Sequence, residues 1–237
     1  MRPSYFEAIY PGRRPIWHLA RMPNPTESRR PLATRSAGWA RALAAALAKA
    51  RVSPDLISAI SIPIAFAGMA ALLHVPGPAG LVLCAVAVQL RLLCNLLDGM
   101  VAVEGGLGGP TGPLWNELPD RIADSVFIVA LGMAAGEPIL GWAGALLAAV
   151  TAYIRTTGGA LGFAQDFSGV QSKPKRMFVM TVGLLVAALW PWWGEAWYAL
   201  QVALWIIVVG SAVTCVTRTL KLARLLRERA AAAGPKA

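Results

Sequence analysis

Apolar and polar positions along this chain fall in long blocks and do not alternate residue by residue. Six apolar blocks can be drawn, at about 56–75, 79–98, 119–136, 138–157, 177–194 and 197–217. Each is close to the ~20 residues a helix needs to cross the hydrocarbon of a bilayer. Helix breakers divide them: Pro76-Gly77-Pro78 after the first, Gly136-Glu137-Pro138 after the third and Trp190-Pro191-Trp192-Trp193-Gly194 after the fifth. Ahead of the first block, residues 1–37 are rich in Pro and Arg with little periodicity, which predicts a basic arm. Over residues 38–52, Trp39, Leu43, Ala46, Leu47 and Ala50 fall near helical spacing on one face, with Arg41 and Lys49 elsewhere. An interfacial amphipathic helix along the membrane is the expectation, a solvated Ala-rich helix the alternative. The pattern therefore predicts an all-α integral membrane protein, with six transmembrane helices over residues 53–225 and a short basic tail at 226–237.

Composition supports that class. The chain is 57% hydrophobic and 14% charged, against about 25% charged in soluble domains. Its net charge of +10 could suggest nucleic acid, but the bases lie beside apolar blocks, where lipid headgroups or a cytoplasmic face account for them. Ten precede the first block, Arg91 and Arg121 lie at the junction of the second and third, four lie between the fourth and fifth, and six follow the last. All fall on one side, and the opposite loops hold Glu137 and Glu195 without a base. Both termini and the acidic turn are therefore expected in the cytoplasm, in a bacterial-type inner membrane. No apolar stretch followed by a small-residue cleavage site marks a secretory signal. Cys84, Cys94 and Cys215 sit at unrelated spacings inside apolar blocks and read as packing residues.

The chemistry concentrates in two runs, Asn95-Leu-Leu-Asp98-Gly99-Met-Val-Ala102 and Asp120-Arg-Ile-Ala-Asp124. Asn95 and Asp98 are three apart, Asp120 and Asp124 four apart, so each pair shares a helix face. Asn116 lies a further turn back if the helix begins before Pro119. An acid at a membrane boundary costs roughly 2.5–3.5 kcal/mol, so several together call for a neutralising partner. Oxygen donors of this kind suit a hard divalent cation. Alternatively, Arg91 or Arg121 pairs one acid structurally.

These runs resemble the signature of the CDP-alcohol phosphotransferases, Asp-x2-Asp-Gly-x2-Ala-Arg, a spacer, then Gly-x3-Asp-x3-Asp. Asp98, Gly99, Ala102, Asp120 and Asp124 match it; Asn95 stands at the first Asp, Val103 at the Arg and Asn116 at the Gly, after a lengthened spacer. Ser53-Pro54-Asp55-Leu56-Ile57-Ser58 is similar to the entry into that family's first membrane helix. The resemblance implies Mg²⁺ or Mn²⁺ held by Asp98, Asp120 and Asp124, with Asn95 as a weakened ligand and Asp124 as general base. It implies a nucleotide site at Asp98, Gly99, Ala102 and Asn116. Arg155 is the first choice for an anion pocket, with Lys173 and Arg176 as further acceptor contacts. The reaction implied moves a phosphatidyl or similar group from a CDP-linked donor to a small alcohol, releasing CMP, within membrane lipid; a homodimer is implied as well. The three departures leave open a non-catalytic relative that binds nucleotide or lipid, and an ion site in a small transporter is the third reading. Gly105–Gly112 lacks the Gly-Lys-Ser/Thr of a phosphate loop and reads as a connector. His18 and His74 are isolated, and Glu104 and Glu117 are expected as solvated loop acids.

Overall fold

A computed structural model describes residues 37–189 and 197–232. The expectations for most of the basic arm, for the tryptophan-rich turn after the fifth block and for the end of the tail fall outside these residues. Among the described residues there are seven helices: α1 (Gly38–Lys49), α2 (Pro54–His74), α3 (Pro78–Val103), α4 (Gly112–Ala134), α5 (Pro138–Ala160), α6 (Lys173–Leu189) and α7 (Trp197–Ala232). Each of the six apolar blocks holds a helix among the described residues. Four of them, α2, α3, α5 and α7, are long and apolar enough to cross a membrane. The other two do not meet that measure among the described residues: α6 is described over 17 residues, up to Leu189, and α4 carries the charges of its first half.

Helix starts follow the sequence closely. Ser53 caps α2, its hydroxyl accepting from the Leu56 N–H at 3.2 Å, and Pro54 occupies the first turn. A proline there loses nothing, because its missing N–H would have had no intrahelical partner. Helices α3, α4 and α5 likewise carry a proline in their first turn. Inside α4, Pro119 does not stop the helix, which begins at Gly112. Asn116 is therefore helical and shares the stripe of Asp120 and Asp124, although its side chain is exposed.

The six long helices pack as a closed circuit in the order α2, α3, α6, α7, α5, α4. Small residues set how closely they approach. At the join of α4 and α5, a Cβ on Gly132 would lie 2.5 Å from the Gly141 Cα, and one on Gly141 would lie 2.9 Å from the Gly132 Cα. Between α6 and α7, a Cβ on Gly183 would meet the Ala203 Cβ at 2.5 Å. Such small-residue crossings are how helices associate where lipid is as apolar as the side chains. The main core surrounds Phe127, Ile128, Leu131, Met177, Met180, Leu184, Leu204 and Ile207. Large apolar side chains point outward on every long helix, including Leu56, Val86, Met133, Leu146, Phe178 and Trp205.

Helix α1 is present where expected, and a different flank of it packs on the bundle. Its buried residues are Ala40 and Ala44, packed with Ile57, Leu96, Leu97, Met100 and Val101, while Trp39 and Leu43 are exposed. Alanines permit the closer approach to α3, which leaves the larger side chains on the outer flank. The connector between α5 and α6 is clasped by α7. The Arg218 guanidinium donates to the carbonyls of Thr151 and Ser168, and Arg229 donates to the Leu161 carbonyl while stacking over Phe163. Cys84, Cys94 and Cys215 are free thiols.

Candidate active site

Asn95, Asp98, Asp120 and Asp124 do come together, where the last turns of α3 meet the first half of α4. Arg91, Asn95 and Asp98 are spaced four and three apart on α3, so one face carries all three. That face meets the Asp120–Asp124 stripe of α4 and the first residues of α6.

Asp98 is buried and held by two donors. The Ser58 hydroxyl of α2 donates to its Oδ2 at 2.5 Å, and the Gly99 N–H donates to its Oδ1 at 2.5 Å. Thus the Ser-x4-Ser run that opens α2 has a physical purpose: Ser53 starts the helix, and Ser58 reaches the motif aspartate from the side.

Asp120 lies at the centre. Its Oδ1 receives Arg91 Nη2 at 2.9 Å. Its Oδ2 receives the Asn95 amide at 3.2 Å and pairs with the Lys173 ammonium. Lys173 also donates to Asn95 Oδ1 at 2.9 Å. Asp124, one turn deeper and 2% exposed, faces Arg91 Nη2 at 2.5 Å and Arg176 Nη2 at 3.5 Å. Arg176 is further anchored by the Gln171 carbonyl at 2.8 Å and the Thr151 hydroxyl at 3.3 Å.

Several of the expected residues make contacts that the sequence did not specify. Arg91 is not a headgroup base marking the membrane face: it is fully buried, because two carboxylates neutralise it inside the bundle. Arg155, expected in an anion pocket, pairs with Glu117 at 2.6 Å and with Gln165, and lies over the Phe167 ring. Glu117, expected as a solvated loop acid, also pairs with Arg121 at 2.7 Å. Lys173 and Arg176, expected to meet the acceptor, are held by the acids. Asp124, expected as general base, is sealed behind two guanidiniums. It is Asp120, not Asp124, that stands level with Asn95. Gly99 and Ala102 are half-buried beside Asp98, and Asn116 is exposed.

Arg91 was legible as a partner. It lies one turn before Asn95 on the same face, and a cation inside an apolar span is nearly always paired. Lys173 was not, since its partner Asn95 is 78 positions away in sequence.

The donor set can be tested against a divalent ion. Both oxygens of Asp98 and of Asp120 are met by an N–H, an O–H or a side-chain cation, and Asp124 Oδ1, which has no hydrogen-bond partner, faces the Arg91 guanidinium. Three carboxylates are set among three cations, Arg91, Lys173 and Arg176, leaving no surplus negative charge to draw a metal. Among the described residues no group of three or more His, Cys, Asp or Glu side chains is arranged to hold one. As built, the centre does not fit a metal.

On the loop that carries Lys173 toward the acids, Asp166 is tied to Lys221 at 3.0 Å and accepts from the Ser168 hydroxyl at 2.6 Å and N–H at 2.9 Å. Partial burial raises its carboxyl, but these three donors outweigh that and bring it down to about 2.

No protein-family model matches the chain. Individual relatives do. The phosphatidylinositol phosphate synthase of Corynebacterium glutamicum is 30% identical over 178 residues, 72% of this chain and 77% of that protein. The protein of the same name from Mycolicibacterium smegmatis is 28% identical, covering 75% and 81%. The archaetidylinositol phosphate synthase of Aeropyrum pernix is 29% identical over 58% of this chain and 70% of its own. Among solved structures, Mycobacterium tuberculosis phosphatidylinositol phosphate synthase with CDP-DAG bound superposes with a TM-score of 0.64 and 26% identity, covering 78% of this chain and 94% of that one. The same enzyme in complex with manganese and citrate gives a TM-score of 0.62 and 25% identity.

Proposed function

The chain belongs to the CDP-alcohol phosphotransferases, and from that membership we propose that it moves a phosphatidyl group from a CDP-linked lipid donor to the hydroxyl of a small alcohol, releasing CMP. It is an integral membrane protein built of apolar helices. The observation that carries the reading is the convergence of Asn95, Asp98 and Asp120 from α3 and α4 on one polar centre, supported by relatives that bear the synthase name over most of their length.

In this reading the chain folds as six membrane helices with α1 at the interface. Both termini and the polar centre face the cytoplasm, and the chain associates as a homodimer. The nucleotide lies against Gly99 and Ala102, whose small side chains leave room beside Asp98, with Asn116 at the outer edge. The motif's second half is then read one turn earlier, as Gly112-x3-Asn116-x3-Asp120, which shortens the spacer and restores the glycine. Asp120 takes the place of the general base and Asp124 becomes its buried support.

The chemical step balances as follows. The alcohol oxygen forms a bond to the phosphorus that carries the lipid, and the bond from that phosphorus to the bridging oxygen breaks. The electron pair leaves on CMP, while the alcohol proton passes to the Asp120 carboxylate, which must lie within hydrogen-bond reach of it. Alignment and charge neutralisation supply most of the rate in phosphoryl transfer. The cations beside Asp120 serve the second of these.

The test is CMP release from CDP-diacylglycerol by the purified protein across a panel of alcohols, inositol phosphate included. Release with one acceptor, lost in Asp120→Asn and Asp98→Asn, is the expected result. A second reading, binding without turnover, is favoured by the ion pairs that occupy Asp120 and Asp124; donor binding with no CMP release across the panel would establish it.

A further inference from the structure

We propose that the ammonium of Lys173 takes the place of a divalent ion in this centre, so that the donor pyrophosphate is met by a tethered cation and no metal is held. The inference rests on the donor-site reading above and departs from the manganese complex of the relative. Three observations carry it. First, Lys173 Nζ bridges Asn95 Oδ1 and Asp120 Oδ2, one oxygen from each of the two helices whose motif residues would have to clasp an ion. Second, the sequence has given up the negative charge that such an ion needs. Asn95 stands at the signature's first aspartate and, in the register that brings Asp120 level with Asn95, Asn116 stands at another. Third, Arg91 and Arg176 complete the neutralisation of Asp120 and Asp124 from the far side.

The changes compensate one another. Removing carboxylates without adding a cation would leave the phosphates unneutralised. Adding the cation without removing carboxylates would leave a surplus charge under the membrane. An ammonium has three N–H donors and no acceptor. Two of those on Lys173 are used by Asn95 and Asp120, which leaves one for a phosphate oxygen. Lys173 also opens α6 directly after the α5–α6 connector, so its position along the bundle is fixed by the helix start.

Manganese titration followed by electron paramagnetic resonance decides the matter on the full-length protein in nanodiscs, with and without CDP-diacylglycerol. The wild-type protein is expected to leave the free-ion signal unchanged in both states. The Asn95→Asp/Lys173→Met double variant, which restores one carboxylate and removes the cation, should bind Mn²⁺ at least about a hundredfold more tightly, given the size of a charge pair at contact distance. Saturable Mn²⁺ binding by the wild type, equal to that of the double variant, overturns the proposal. If the double variant fails to fold, the wild-type titration still decides, and so does the chelator test. CMP release that survives EDTA supports the tethered cation, and release abolished by EDTA and restored by Mn²⁺ refutes it. A protein that releases no CMP at all would sink the transferase reading alone, because the titration needs no turnover.

Discussion

The two ends of the α3–α4–α5 assembly are held by opposite means. Where α3 ends and α4 begins, charged groups are buried and stabilise the bundle only by answering one another. Where α4 turns into α5, no buried ion pair is used: Gly132 and Gly141 bring two backbones together until a methyl group would not fit. The contrast separates two jobs. Close packing is indifferent to ligands and gives the scaffold its shape. A buried charge network is expensive to assemble, and its arrangement answers to whatever enters it, so it is the end at which an anionic donor can be recognised.

Substitutions at the two ends should therefore fail differently. The largest effect is expected from Arg91→Met, which removes the cation shared by Asp120 and Asp124 and leaves them one cation each, Lys173 and Arg176. Breaking a buried pair in this way costs about 3–5 kcal/mol, read as a fall in thermal midpoint in detergent together with lost donor binding. At the packed end, Gly132→Val should cost about 1–3 kcal/mol by overpacking, yet the surviving folded fraction should bind CDP-diacylglycerol with wild-type affinity. Loss of donor affinity there would abolish the distinction between the ends. Ser58→Ala removes one donor from Asp98 and should cost about 1.5–3 kcal/mol, the range for hydrogen bonds to charged groups. Its signature is a change in donor affinity that exceeds that of Gly132→Val.

The smallest effect concerns pH. The Asp166 carboxyl is held down at about 2 in the folded protein, against about 3.9 when unfolded. A carboxyl lowered on folding contributes stability that is full above the unfolded value and lost as pH falls toward the folded one. Protection of residues 161–172 against hydrogen exchange, taken relative to the intrinsic rate at each pH, should therefore fall between about pH 4 and 2, and Asp166→Asn should show that lower protection at neutral pH. No change in the variant would mean that the Lys221 and Ser168 contacts do not hold the loop.

Much of this was legible in the sequence. Apolar blocks and proline-marked starts gave the helices, because in lipid the backbone must satisfy itself within each segment. The spacing of Asn95, Asp98, Asp120 and Asp124 gave the faces that meet. Pairings were harder to read, because they depend on which helices become neighbours. Lys173 reaches Asn95 only because α6 sits beside α3 in the circuit. Arg91 shows the opposite case: its spacing placed it with the acids, and it pairs with two of them. For α1, periodicity identified the apolar positions Trp39 and Leu43, which are exposed, without saying that Ala40 and Ala44, being small, would be the ones pressed against α3.

Helix α7 has 36 residues, which at 1.5 Å each is about 54 Å of rod against about 30 Å of hydrocarbon. A good part of it must stand clear of the bilayer, and it is this projecting part, through Lys221 and Arg229, that moors the strap leading into α6. The height at which the Lys173 amine enters the bundle is thus tied to the end of the longest helix.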